Sequence, residues 1–261
     1  MESSELQKQD AIDTHSRQSL KFASRYQVMA DDVYSKCFTY SRHRLNQWLD
    51  QYLPANGAGL KVLDVGCGTG NQMKSLRERG FEVVGVDGSA DMLEKARANN
   101  PDAELRQADV EKLPFADASF DLVICIEVLR YLPANDPCLR EMARVLKPGG
   151  VCLTTAAPLF SLNGYLPVNR LANKFALGDL TRVKQFFTTE NRLHREFLQA
   201  GFASSEVHGV YSGPFMWVER VLPAVIPSLL KAWEPLDNAL ADRPLLRELS
   251  NMFLVRAVRA E

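Results

Sequence analysis

Apolar positions along the chain change their period twice. From Ser19 to Leu53 they recur among polar residues at spacings dominated by three and four: Phe22, Tyr26, Met29, Val33, Tyr34, Phe38, Leu45, Trp48, Leu49 and Tyr52. That is the spacing of a helical face. The turn chemistry of "PANGAG", 54–59, closes it. A second regime then begins. Short apolar runs at 61–66, 81–87, 103–109, 120–129 and 151–157 alternate with amphipathic stretches at 71–80, 89–100 and 136–147. Such runs read as buried strands and the stretches as helices, with Ser89 as an N-cap and Gly80 as a stop. Strands alternating with helices of about ten residues predict a parallel sheet covered on both faces. The run 103–109 is the least apolar and belongs near an edge.

After Pro158 the rhythm breaks. Residues 158–187 show no clean period, 188–202 read as a capped helix, 204–212 alternate like a strand, and 252–260 read as a last strand. Between these lies 213–250, where Phe215, Val218, Val221, Leu222, Val225, Ile226, Leu229, Leu230 and Trp233 fall at helical spacing. Pro223 and Pro227 interrupt or bend that helix. The segment either packs on the domain and roofs its site, or forms a greasy wall for a lipid-like, quinone or polyketide ligand or a membrane surface. Residues 1–18 are polar, and the pattern predicts a frayed or loosely packed arm without the apolar core of a secretory leader. The organisation expected is one α/β domain in three stretches: 1–60 as an N-terminal helical arm or lid, 61–157 as the ligand-binding core, and 158–261 as the rest of the sheet. Insertions at 158–187 and 213–250 would shape specificity.

Composition narrows the class. The 261 residues carry 31 basic and 32 acidic side chains, a formal net charge of -1, and no Lys/Arg run. That balance gives no field for steering onto nucleic acid. Five cysteines without CxxC spacing read as buried hydrophobes. The four histidines are scattered, and no metal-ligand constellation appears. No stretch reaches the roughly 18 apolar residues of a spanning helix, so a cytoplasmic protein without stable membrane insertion is expected. A monomer and a homodimer both remain open.

The chemistry concentrates around "KVLDVGCGTG", 61–70. Gly66, Gly68 and Gly70 form a turn after a strand, where backbone can approach a ligand closely. The dinucleotide fingerprint places its last glycine one residue later, and no Lys-Ser/Thr of a phosphate loop follows. Asp64 lies inside the strand, where a carboxylate is costly to bury unless a donor or cation meets it. It would repel a pyrophosphate and welcome an ammonium. Asp87 ends the second strand 21 residues after Gly66, the distance of a ribose-binding carboxylate. Asp109 ends the third strand and can accept from an exocyclic amine. Amine, ribose and adenine at three successive strand ends describe S-adenosylmethionine, a nucleoside with an amino-acid tail and no phosphate. Either Asp87 or Asp109 alone could be an ordinary loop residue.

The motifs "VLDVGCGTG", "VVGVDGSADML", "QADVEKLPFADASFDLVIC" and "LKPGG", spread over 61–157, resemble the class I S-adenosylmethionine-dependent methyltransferases of the broad type 11 small-molecule group. The resemblance implies a Rossmann-like, seven-stranded, mostly parallel sheet with its last strand antiparallel and helices on both faces. It implies S-adenosylmethionine as methyl donor, S-adenosylhomocysteine as product, and no metal. By position, Asp64 and the Gly66 backbone would hold the methionine end, with Gly68 in the same turn. Asp87 would bind the ribose, and Gly88 and Met92 would lie along the adenosine, unless Met92 is only helix packing. Asp109 and the Val110 backbone would read adenine, and Ile126 and Glu127 would face the methionine end. Tyr26, in "ASRYQVMADDVY", stands where relatives carry a tyrosine that closes over the cofactor; Gln27 departs from their pattern, and ordinary core packing is the alternative.

In "EVLRYLP" Tyr131 occupies the position where many relatives have a histidine. It either lines the acceptor pocket or packs on the next helix. His208 is the other candidate base, while His194 reads as structural or solvated. The implied reaction is methyl transfer to an O or N atom, ahead of C, of a small hydrophobic or glycosylated metabolite. The rivals are a protein or nucleic-acid methyltransferase, disfavoured by the lack of an "NPPY"-like motif, and a non-catalytic S-adenosylmethionine-binding regulator.

Overall fold

A computed structural model describes residues 2–20, 32–164, 166–167, 170–171 and 183–261. The apolar runs become seven strands: β1 (Lys61–Val65), β2 (Glu82–Asp87), β3 (Glu104–Gln107), β4 (Phe120–Cys125), β5 (Leu146–Ala156), β6 (Phe202–Tyr211) and β7 (Met252–Arg259). They form one sheet in the order β3-β2-β1-β4-β5-β7-β6, in which β7 alone runs antiparallel to its neighbours. The weakly apolar β3 is at an edge, as its composition requires. Eight helices are described: α1 (Glu2–Arg17), α2 (Cys37–Tyr52), α3 (Asn71–Glu78), α4 (Ala90–Asn99), α5 (Asp136–Val145), α6 (Glu190–Gln199), α7 (Phe215–Val221) and α8 (Ile226–Leu240).

Local chemistry sets several of these boundaries. The Ser89 hydroxyl accepts from the Met92 N–H at 3.1 Å and caps α4. Pro223 opens a 3₁₀ turn at Pro223–Val225 that separates α7 from α8, and Pro227 sits in the first turn of α8, where its missing N–H has no intrahelical partner to lose. Helix α5 stops at Val145, before the expected 147, because Leu146 already pairs with Phe120 and begins β5. No described helix is long and apolar enough to cross a membrane.

Alternation along the strands builds a core on each face of the sheet. Leu63 and Val65 of β1 pack with Leu139 and Met142 of α5 and Phe197 of α6, whereas Val62 joins Tyr40 and Leu45 of α2 and Leu230 of α8. Each fully buried side chain of this kind contributes about 1.5–3 kcal/mol. The same alternation places Asp64 on the face of Val62 at the carboxyl end of β1.

One expectation is corrected. The polar arm 1–18 is no frayed end: Glu2–Arg17 is a helix whose Ala11, Lys8 and Thr14 are buried. Polar contacts hold it. Lys8 Nζ reaches Glu111 at 2.6 Å and Asp109 at 3.0 Å, and the Ser16 and Ser89 hydroxyls bond at 2.6 Å. An apolar pattern could not foretell this, since the helix carries few large apolar side chains and one of them, Leu6, faces solvent. The helix expected over 19–53 is borne out over 37–52; residues 32–36 form a turn instead, closed by the Ser35 N–H on the Asp32 carbonyl at 3.2 Å, and 21–31 lie outside the described residues.

Segment 213–250 docks through a buried polar knot. Asp237 of α8, fully buried, accepts from Tyr40 Oη at 2.7 Å, from the Ser212 N–H at 2.7 Å and from Ser212 Oγ at 2.8 Å, and Arg44 Nε lies 3.3 Å from it. Removing one partner of such a pair strands the other charge in the interior. Asp237→Ala is therefore expected to cost about 3 kcal/mol and to lower the melting temperature by roughly 6–12 °C. Thermal denaturation followed by circular dichroism measures it, and an unchanged melting temperature would show that the knot contributes nothing.

Candidate functional site

The sheet order reverses direction at β1, with β2 on one side and β4 on the other. Loops leaving their carboxyl ends diverge there and open a crevice. It holds a cavity of about 410 Å³, whose floor is the turn after β1. Gly66 has φ +72°, and a Cβ on it would lie 2.2 Å from Val128 Cγ2, so only glycine fits. The N–H groups of Gly66 and Cys67 both donate to the Val86 carbonyl, at 2.8 and 2.9 Å. The Gly68 N–H donates to Asp87 Oδ2 at 2.9 Å, and the Ser89 N–H to Asp87 Oδ1 at 2.8 Å. The glycine turn and the end of β2 are thus one hydrogen-bonded unit.

Two carboxylates face this unit. Asp64 is 2% exposed, and its Oδ2 finds no hydrogen-bond partner among the described residues. Burial first, and the charge of Asp87 second, push its carboxyl from 3.8 up to about 8. Burial also raises Asp87, against the pull of its bonds from Ser89 and Gly68 and the nearby His15. Further out, Asp109 accepts from Lys8 and, at 2.9 Å, from the Glu111 N–H. Gly88 leaves room for α1: a Cβ there would meet Ile12 Cδ1 at 2.8 Å. Met92, Val110 and Ile126 complete this part of the wall, Met92 being both helix packing and lining.

The far end of the cavity differs in charge. Glu127 follows β4 with φ +64°, a conformation non-glycine residues rarely hold. Its N–H donates to Thr155 Oγ1 at 2.7 Å, and its carboxylate meets Arg130 Nη1 at 2.6 Å. Burial alone would raise this carboxyl, but Arg130 and Arg42 outweigh it and hold it below the usual range. Arg130 Nη2 donates onward to Gln185 Oε1 at 2.8 Å, which brings the stretch after residue 182 into the wall. Tyr131 ends the 3₁₀ turn Leu129–Tyr131 and lines the cavity beside Phe38, Arg42 and His15.

The structure therefore brings together every expected site residue but two. Tyr26 lies outside the described residues. His208 is on β6, the edge strand remote from β1, with Nδ1 2.9 Å from Asp242 Oδ2, Nε2 2.7 Å from Tyr52 Oη, and its ring stacked on Trp48. It does not line the cavity. Nor does any residue of 213–250, whose helices pack on α2 instead. Lys8, His15, Arg42 and Gln185 do line it and were not expected; no spacing, period or motif marks them.

The family described as "Methyltransferase domain" matches residues 63–154, the stretch that carries the cavity floor. YqeM of Bacillus subtilis (strain 168), provisionally named a methyltransferase, is 30% identical over 177 residues, 64% of this chain and 69% of that protein. The chain belongs to the S-adenosylmethionine-dependent methyltransferases. Demethylmenaquinone methyltransferase of Staphylococcus aureus (strain MRSA252) is similar to this methyltransferase at 38% identity over 138 residues, 49% of this chain and 56% of that one. The chain spans still less of other curated relatives, 28% and 36% of their length in two cases. Among solved structures, a methyltransferase of Thermotoga maritima, titled a possible histamine N-methyltransferase, superposes with a TM-score of 0.63 at 18% identity. The match covers 94% of this chain and 98% of that one, and it shows the fold.

The methyltransferase fits its family's cofactor on one observation above others, the unpartnered oxygen of buried Asp64. An ammonium meeting that carboxylate would lower its pKa, so binding should expel a proton. S-adenosylmethionine is then expected to release protons on binding at pH 7, and its affinity should rise with pH until about pH 8. Stability runs the opposite way in the ligand-free protein. The folded pKa is raised, so the contribution of Asp64 is full below about pH 4 and is lost as pH climbs to about 8. Asp64→Asn should abolish the proton release and flatten that part of the stability profile. Calorimetry in two buffers of different ionisation heat measures the protons; none released by the wild type would remove Asp64 from cofactor recognition.

Proposed function

We propose that the protein transfers a methyl group from S-adenosylmethionine to an O or N atom of a small, hydrophobic, aromatic or quinone-like metabolite. The observation that carries the reading is the pair Asp64 and Asp87 at adjacent strand ends, one with an oxygen that finds no hydrogen-bond partner among the described residues, beside a glycine turn, 66–70, that contains no lysine or arginine. In this reading Asp64 and the Gly66–Gly68 backbone hold the ammonium and carboxylate end of the cofactor. The free lone pairs of Asp87 accept from the ribose hydroxyls, Gly88 and Met92 flank the adenosine, and Asp109 with the Val110 N–H reads the adenine edge. Ile126 and Glu127 border the methionine end.

S-adenosylmethionine supplies an activated methyl group when bound, so the chain's own contribution is proximity, orientation and exclusion of water. Helix α1 covers the adenosine side and acts as the lid. The acceptor lies against Phe38, Tyr131 and Leu132, with Arg42, Arg130 and Gln185 as polar contacts. The apolar and aromatic part of that wall supports a quinone-like or phenolic acceptor, as does the name of the demethylmenaquinone relative. The region 158–187 contributes to specificity through Gln185.

Incubation with methyl-labelled S-adenosylmethionine and an organic-solvent metabolite extract tests the reading by mass spectrometry. Label on a small, extractable molecule is expected; label only on protein or nucleic acid would overturn it. Asp87→Ala should weaken S-adenosylmethionine binding by about 1–3 kcal/mol, roughly 5- to 150-fold, through lost charge-assisted hydrogen bonds. Unchanged affinity in a calorimetric titration would undo the ribose assignment.

A further inference from the structure

The loop after β4 offers Tyr131 at the place where a histidine base would suit the chemistry, and a tyrosine at neutral pH is a poor base. The structure brings a histidine to the same spot from another element. His15, in the last turn of α1, lines the cavity and stands edge-on to Tyr131, ring centroids 4.7 Å apart at 75°. Its Nδ1 is 2.7 Å from the Ala11 carbonyl oxygen. A carbonyl can only accept, so Nδ1 carries the ring proton and Nε2, the nitrogen farther from the helix, carries the lone pair. The backbone of α1 thereby selects the tautomer that has a basic Nε2.

We propose that His15 is the general base of the transfer and that the acceptor atom is a hydroxyl or phenol oxygen bearing a proton. This rests on the methyl-transfer reading above and adds the identity of the base. The acceptor O–H bond breaks and its proton passes to Nε2. The oxygen's electron pair forms the new bond to the methyl carbon, and the carbon–sulfur bond breaks with its pair left on sulfur. The imidazolium then gives its proton to water.

The charges around the ring suit that cycle. Burial comes first and depresses the pKa of His15 below 6.5, so the resting ring is neutral and able to accept. The Ala11 bond opposes that shift, as do the carboxylates of Asp87 from β2 and Glu127 from the loop after β4, while Arg130 adds to it. Asp87 and Glu127 thus stand ready to stabilise the imidazolium once it forms. Tyr131 packs on the ring edge and limits its rotation. Ser16, the next residue, anchors this turn to Ser89 and hence to the cofactor half of the site.

Single-turnover transfer from methyl-labelled S-adenosylmethionine to the labelled component of the metabolite extract supplies the test. The wild-type rate should rise with pH through the His15 pKa, below 6.5, and then level. His15→Asn keeps a donor for the Ala11 carbonyl but removes the base. It should transfer about 10²- to 10⁴-fold more slowly, lose that pH limb, and bind S-adenosylmethionine with unchanged affinity by calorimetry. Added imidazole should restore part of the rate of His15→Ala. Nitrogen-15 histidine spectra of the ligand-free protein give a readout apart from turnover, and should show the Nδ1–H tautomer with a depressed pKa. An extract that takes no label from the wild type sinks the methyl-transfer reading and this proposal with it. A wild type that labels its acceptor, and a His15→Asn variant that does so equally fast, sink this proposal alone. An Nε2–H tautomer does the same.

Discussion

Two carboxylates at neighbouring strand ends, one buried and one half-buried, set the terms for the rest of this structure. Asp64 and Asp87 raise each other's energy, and burial keeps water from relieving either. A protein built only for stability would give them cations. This one gives Asp87 two backbone N–H groups and leaves one oxygen of Asp64 without a partner among the described residues. Lys8, the nearest described lysine in the wall, is committed to Asp109 and Glu111 further out. The sheet meets the cost with two well-packed faces, and the site retains a demand for positive charge that a ligand can satisfy.

The same constraint explains the roof. A helix laid over a polar cavity has little apolar surface to bury, so α1 is held by Lys8 against two carboxylates and by a pair of hydroxyls at Ser16 and Ser89. Gly88, lacking a side chain, lets Ile12 come down onto the end of β2. A roof attached by polar contacts is separable from the floor at modest cost, because water can replace each bond when it lifts. Segment 213–250 is attached in the other manner, by apolar packing and by the fully buried Asp237 knot, and it stays outside the cavity.

This contrast accounts for what could be read in the sequence. The strands, the edge position of β3, the cap at Ser89 and the cavity-lining carboxylates were legible, because burial forces a period and strand ends are fixed by it, whereas the antiparallel direction of β7 followed only from the family resemblance. Asp64, Asp87 and Asp109 announce themselves as charges set at the ends of apolar runs. Residues brought in from elsewhere carry no such mark. Lys8 and His15 sit in a polar stretch whose helix is stabilised by polar partners about 75 to 100 residues away in the chain, so no local pattern could show it. His208 misled for the converse reason. It alternates correctly along a strand, but the sheet order sends that strand to the far edge, where Asp242 and Tyr52 take both ring nitrogens. Period locates a residue on a face; only topology says which end of the molecule the face belongs to.

The cavity accordingly has two halves made by different rules. The half proposed for the cofactor comes from three successive strand ends and a glycine turn, groups fixed by the sheet. The half proposed for the acceptor is assembled from α1, α2, the loop after β4 and the stretch near Gln185. Its one rigid feature is Glu127, held at φ +64° by the Thr155 bond and by Arg130, which fixes the boundary between the halves. Across that boundary the charge changes from uncompensated acid to carboxylate matched by Arg130 and Arg42. A ligand that is cationic at one end is drawn to the first half, and a neutral, partly apolar one fits the second. Since side chains in the second half hang from separate segments, each can change without disturbing the sheet. On the proposed assignment, acceptor choice can therefore drift within one scaffold while the donor site stays the same.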